Sequence, residues 1–238
     1  MPTEASGRVP ADFLRPALTV HYLCAYYSQF AHLKVAPRTP ELWAAFHFCR
    51  AVKHRKINGY CEFPLNSGTV RIDASNVALA RKLFGVAILK VYEKHRCAEP
   101  LLVPVPSRDS VRKANFRTLD MLKGSLTLEM RDLIASALRF HSDLPPVSGT
   151  GARERNAIFD ALKIAAEVGG RNVILVDDIV TSGNTLLAAS DAIEAAGGKV
   201  VCAVACGRTV KNRIRAFKLR SFELVRKRQP EEPSPVQA

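Results

Sequence analysis

Two adjacent carboxylates, Asp177 and Asp178, follow the apolar run Val173, Ile174, Leu175 and Val176. They precede Ile179, Val180 and then Thr181, Ser182, Gly183, Asn184 and Thr185. The apolar run predicts a strand covered on both faces, and residues 184–196 predict a helix stopped by Gly197 and Gly198. A glycine-containing turn between a strand and a helix aims several backbone N–H groups at one point, where the positive end of the helix dipole also acts. That makes a phosphate cradle. Gly183 lets the backbone approach the anion, and Thr181, Ser182 and Thr185 add hydroxyl donors. Two carboxylates beside such a cradle would repel a bare phosphate. They fit a ligand that also offers hydroxyl donors or a divalent cation, and a ribose 5-phosphate moiety supplies diol hydroxyls for the acids and a phosphate for the turn.

Competing nucleotide motifs fail locally. No Gly-x-x-x-x-Gly-Lys-Ser/Thr loop is present. Gly149, Thr150, Gly151, Ala152 and Arg153 start like a dinucleotide fingerprint, but Glu154 stands where a third small residue belongs.

The stretch 173–185 resembles the phosphoribosyl pyrophosphate (PRPP) signature of type I phosphoribosyltransferases. By that resemblance Asp177 and Asp178 contact the ribose hydroxyls, and Thr181, Ser182, Gly183, Asn184 and Thr185 hold the 5′-phosphate. Leu102, Val103, Pro104, Val105, Pro106, Ser107 and Arg108 resemble the strand and pyrophosphate loop of the ComF-like branch of that family, which assigns Ser107 and Arg108 to pyrophosphate. Residues 153–159 resemble a segment of the same branch that lies where these enzymes carry a flexible closing loop, which makes Arg153 and Arg155 candidates to close over the leaving group. Cys206, Gly207 and Arg208 resemble the end of its last core strand. The cysteine-rich zinc segment that usually opens the ComF-like branch is absent.

The resemblance implies a Mg²⁺-dependent transferase that moves a ribose 5-phosphate group from PRPP to a nitrogen nucleophile and releases pyrophosphate. Mg²⁺ would be held mainly by PRPP, near Asp177 and Asp178, without direct protein ligands. The acceptor, a nucleobase or another nitrogen compound, is left open, because the region outside the core selects it. The alternative is a PRPP-fold module with weak or lost catalysis, regulatory or associated with nucleic acid, in a competence or defence setting.

The elements that must position these groups follow an α/β order. Residues 101–105, 172–176 and 199–206 predict strands, with helices between them over 111–123, 126–140, 153–167 and 184–196. The expectation is an α/β fold: a mostly parallel twisted sheet with helices on both faces, as in type I phosphoribosyltransferases, with an N-terminal accessory or hood region. Residues 1–15 read as a flexible N-terminus, 16–100 as the accessory region contributing to the core, 101–209 as the PRPP-binding core, and 210–238 as a basic, partly disordered tail. Within the accessory region, residues 17–33 read as a helix. Thr39 caps a second helix that has Pro40 in its first turn, and residues 60–63 and 69–72 form strands about a turn at 66–68. Asp73 or Ser75 caps a further helix from about residue 77 to 94.

The formal charge is +13 over 238 residues. Nine basic residues lie between Arg208 and Arg228 against the single acid Glu223, and Lys53, His54, Arg55 and Lys56 form a second cluster. Such charge suits polyanions, so nucleic acid or an acidic protein is a candidate partner of the tail, beside PRPP, the acceptor and a second copy of the chain in a homodimer. Six cysteines without a C-x-x-C pair, and an N-terminus without a basic and then apolar leader, point to a reducing cytoplasm. No apolar run approaches the ~20 residues of a membrane span. Cys202 and Cys206, four apart in an apolar run, read as small buried hydrophobes on one strand face rather than a metal or redox pair.

Overall fold

The computed structural model describes residues 17–27, 38–144, 154–210 and 214–226. Its centre is a five-stranded sheet. The strands are β1 (Ala17–Tyr26), β4 (Leu101–Pro104), β7 (Asn172–Val180), β8 (Lys199–Thr209) and β9 (Phe217–Val225), in the order β4-β7-β8-β1-β9. The first four are mutually parallel and β9 runs antiparallel to β1. The expected mostly parallel α/β sheet is therefore present.

Alternation along the strands splits the core into two apolar layers. On one side Ile174, Val176, Cys202, Val204 and Cys206 meet α1 (Pro40–His54), α2 (Ala78–Lys94) and α3 (Arg117–Ser125). On the other, Val173, Leu175, Val200, Ala203 and Ala205 meet α5 (Asn184–Ala195). Two further two-stranded antiparallel sheets are present: the hairpin β2 (Cys61–Leu65) with β3 (Gly68–Ile72), and β5 (Leu138–Phe140) with β6 (Leu162–Ile164), which are distant in sequence. A short helix, α4 (Arg155–Asp160), precedes β6.

Local chemistry explains the helix boundaries. The Thr39 hydroxyl accepts from the Leu42 N–H at 3.3 Å, Pro40 and Glu41 occupy the first turn, and Arg55 ends α1 in the left-handed region. The helix at Ala78 starts without a side-chain cap. Asp73, expected to provide one, instead accepts from the N–H and hydroxyl of Ser75. Where α2 crosses α3, Gly85 is essential: a Cβ there would stand 1.8 Å from the Ser125 carbonyl oxygen.

Five expectations are corrected. Residues 17–26 form a strand, not the start of a helix. A continuous apolar run has no period to separate the two states, and hydrogen bonding to β8 on one side and β9 on the other decides it. Residues 126–140 are not a helix but a 3-10 turn at Glu129–Leu133 followed by β5. The helices expected over 111–123 and 153–167 shorten to α3 and α4. Finally, part of the expected basic tail, Phe217–Val225, is the antiparallel edge strand β9. No helix among the described residues is long and apolar enough to cross a membrane.

Candidate functional site

Strands β4 and β7 are in register from Leu101 with Val173 to Pro104 with Val176, and the Val105 N–H donates to the Val176 carbonyl at 2.9 Å. The loop carrying Ser107 and Arg108 therefore leaves the sheet beside Asp177 and Asp178. The turn 181–183 leaves from the same end. The structure thus brings the three expected segments together at the carboxyl ends of neighbouring strands, where open α/β sheets bind ligands.

The two acids differ. They are successive residues of β7 and so face opposite sides of the sheet. Asp178, 5% exposed, faces α1 and α3. Its carboxylate lies 2.9 Å from the Lys53 ammonium of α1 and 3.1 Å from the Arg117 guanidinium of α3. Asp177 forms no ion pair among the described residues and accepts the Asp178 backbone N–H at 2.8 Å. Burial, reinforced by the Asp178 charge, pushes the Asp177 carboxyl up to about 7.

The turn between β7 and α5 has the form of an anion cradle. Gly183 adopts φ 83°, and a Cβ there would come within 2.5 Å of Leu224 Cδ2 on β9. Thr181 and Ser182 are exposed, and Asn184 and Thr185 are half-buried at the start of α5. The Thr181 hydroxyl shares a 2.9 Å hydrogen bond with that of Thr209, so the end of β8 braces the turn.

In the loop after β4, the Ser107 hydroxyl donates to Asp109 at 2.5 Å and accepts from the Thr118 N–H at 3.4 Å. Asp109 also accepts the backbone N–H of Arg117. Burial pushes the Asp109 carboxyl up, but the Ser107 hydroxyl and Arg117 more than offset this and hold it below the usual carboxylate range. The Thr118 hydroxyl donates to the Val105 carbonyl at 2.6 Å, fastening the loop to the start of α3. Arg108 is exposed and makes no hydrogen bond or ion pair among the described residues.

Arg155 is not brought to this site. Its guanidinium pairs with Asp191 of α5, which Arg226 also approaches, at 3.4 Å. Arg153 lies outside the described residues. Lys53 and Arg117 are what the sequence reading missed. Lys53 was visible only as part of a basic cluster, and nothing in the sequence around Arg117 links it to an acid 61 positions away.

A cavity of about 660 Å³ is lined by Arg38, Trp43, Phe46, His47, Arg50, His54, Lys56, Ile57 and Asn58, of which His54 feels the Asp178 charge. Five of these follow helical spacing along the outer stripe of α1 (Trp43, Phe46, His47, Arg50 and His54), one residue from Lys53. The Arg38 guanidinium lies 4.3 Å from the Trp43 ring centre and 4.4 Å from that of Phe46. Burial and then Lys53 and Arg117 lower the His54 pKa, and the Asp178 charge acts on His54 in the opposite sense.

Fold and site together define an α/β protein whose parallel strands end in an acid pair with one buried member, Asp178, a glycine turn at the start of a helix and a second, cationic loop. Residues 131–231 match the family model described as a phosphoribosyl transferase domain. The orotate phosphoribosyltransferase of Methanopyrus kandleri is 52% identical over 42 residues, a stretch that is 18% of this chain and 23% of that relative. The adenine phosphoribosyltransferase structure from Leishmania donovani aligns over 68% of this chain and 79% of its own, at 15% identity and a TM-score of 0.35.

Proposed function

We propose that this chain binds PRPP at the carboxyl end of the sheet and transfers its ribose 5-phosphate group to a nitrogen of an acceptor. The C1–O bond to pyrophosphate breaks, a C1–N bond forms, and the nitrogen gives up its proton. The observation that carries this reading is the convergence of Asp177, the turn 181–185 and the loop 107–108 at adjacent strand ends. The turn holds the 5′-phosphate on the backbone N–H groups and hydroxyls of Thr181, Ser182, Gly183, Asn184 and Thr185. Asp177, when ionised, accepts from the ribose diol. Asp178, neutralised by Lys53 and Arg117, acts mainly by fixing α1 and α3 against the site. The loop backbone at Ser107 and the Arg108 guanidinium receive pyrophosphate. Such a site works by positioning and electrostatics rather than by covalent chemistry.

The residues fit a ligand-borne Mg²⁺ rather than a protein-held one. Asp178 is already paired to two cations, which leaves Asp177 and Asp109 outside ion pairs among the described residues, and Asp109 is held by the Ser107 hydroxyl and the Arg117 N–H. Mg²⁺ bound to the pyrophosphate oxygens would offset their charge.

The cavity along α1 is the acceptor site on this reading. It offers the rings of Trp43 and Phe46 and the cations Arg38, Arg50 and Lys56, and none of its lining residues among the described ones is acidic. This favours a planar acceptor carrying negative charge. The Leu102–Arg108 stretch supports a place in the ComF-like branch. A reducing cytoplasm remains the setting we infer. A nucleic-acid role draws less support, because two of the basic residues are engaged. Arg226 is buried against Glu194 and Asp191, and Arg208 stacks 3.6 Å from the Phe222 ring centre.

The test is mass-spectrometric detection of product from PRPP, Mg²⁺ and a panel of acidic and neutral heteroaromatic bases, orotate and adenine among them. Turnover with acidic bases is the expected result. Turnover confined to neutral bases would overturn the acceptor assignment, and unchanged PRPP binding by calorimetry in Asp177→Asn would overturn the site itself.

A further inference from the structure

We propose that His21, His95 and Cys202 form a binding site for a zinc-class divalent metal ion, separate from the PRPP site. Three elements converge there: β1 supplies His21, the residue that ends α2 supplies His95, and β8 supplies Cys202. One ligand atom from each lies within 4.8 Å of the other two. Cys202 is 1% exposed, whereas both histidines are half-buried, so the thiol is shielded while an ion can enter past the imidazoles.

The donor set suits such an ion. Two imidazole nitrogens and one thiolate are borderline-soft ligands, matched to zinc rather than to Mg²⁺ or Ca²⁺. Three protein ligands leave a fourth tetrahedral position for water or an outside ligand. Burial pushes the Cys202 thiol up to about 12, so the free group carries its proton and binding releases one proton as the metal–sulfur bond forms. No electron is transferred. Lys94 is the neighbouring charge that opposes a cation, and it acts on both His21 and Cys202.

The location separates this site from the acids. Cys202 pairs with Ile174, three residues before Asp177 on β7, about 10 Å toward the amino end at a strand rise of ~3.3 Å. A bound ion would tie the end of α2 to β1 and β8. Cys206, four residues on, belongs to a different group: its sulfur lies 3.8 Å from that of Cys49, with Cys24 beside them, all buried.

The experiment uses the full chain, stripped with a chelator and titrated with Co²⁺, with Zn²⁺ affinity measured by competition against a chromogenic chelator. The expected result is one equivalent of Co²⁺ with a thiolate-to-cobalt charge-transfer band. That band should disappear in Cys202→Ser and persist in Cys49→Ser, and His95→Ala should weaken Zn²⁺ binding at least tenfold. Thermal melts of the stripped variants confirm that each is folded. Absence of the band in the parent chain overturns the proposal. So does its loss in Cys49→Ser with retention in Cys202→Ser, which would move the ion to the thiol cluster. PRPP binding is not part of the readout, so the two proposals fail separately.

Discussion

The Lys53 ammonium lies 2.9 Å from the Asp178 carboxylate, although 125 positions separate the two residues. This contact joins the N-terminal region to the acid pair, and Arg117 closes the same carboxylate from α3. The Lys53 side chain is 24% exposed, that of Arg117 37% and that of Asp178 7%. Removing one partner leaves a buried carboxylate with less compensation, a change that costs ~3–5 kcal/mol at fully buried pairs. Here the second cation remains and Lys53 is partly solvated, so Lys53→Met should lower stability by about 2 kcal/mol in urea unfolding, and Arg117→Met by less. In a Lys53→Met, Asp178→Asn cycle, the double variant should be more stable than additivity allows.

Asp177 sets a pH dependence. Its folded pKa of about 7 lies above the ordinary 3.8, so the folded chain binds the extra proton between those values. The stability contribution is complete below the ordinary value and is lost as pH rises through about 7. PRPP binding should run the other way, because the diol needs the ionised carboxylate. One ionisation predicts that affinity rises roughly tenfold from about pH 6 to about pH 8. Asp177→Asn should flatten both profiles, as read by calorimetry and by unfolding across the range.

Gly183 and Leu224 couple the turn between β7 and α5 to the edge strand. Gly183→Ala places a Cβ within 2.5 Å of Leu224 Cδ2 and forces an L-residue to φ 83°. It should cost about 2 kcal/mol and weaken PRPP binding. Leu224→Ala in the same chain should recover the steric part and leave the backbone part. A double variant no more stable than Gly183→Ala would show that the contact does not matter.

The strand, turn and helix around the acid pair were legible because the pattern is local. Acid pair, turn and helix start lie within thirteen consecutive residues, and each type is forced by its position: aliphatic side chains for a strand buried on both faces, glycine for φ 83°, hydroxyls before a helix. Thr39 and Pro40 announced α1 for the same reason. What lay hidden was long-range. Residues 17–26 carry an apolar run that suits a helix or a buried strand, and only β8 and β9 on either side decide between them. Phe217–Val225 reads as a charged tail because Lys218, Arg220 and Glu223 mask the alternation of an edge strand, which tolerates charge on its open side. Lys53 looked like one member of a solvated cluster, and Arg155 like a mobile loop cation until α5 supplied Asp191 as its partner.

If the cavity along α1 holds the acceptor, its stripe should separate acceptor binding from PRPP binding in a measurable way. Trp43 is 43% exposed and stacks with His47 at 5.8 Å, while Arg50 lies 5.6 Å from the Phe46 ring centre. Neither Trp43 nor Arg50 touches Asp178, whose pairs are Lys53 and Arg117. Trp43→Ala removes a stacking face worth ~1–2 kcal/mol, and Arg50→Ala removes a cation facing the cavity. Each should raise the KM for an acidic acceptor about tenfold while the PRPP dissociation constant stays within about twofold, since ~1.4 kcal/mol corresponds to a tenfold change. Steady-state kinetics with the acceptor varied, beside calorimetry with PRPP, distinguish this from a general loss of fold. If both constants move together, the stripe supports the whole site. If only the PRPP constant moves, the cavity belongs to the donor and the acceptor binds elsewhere.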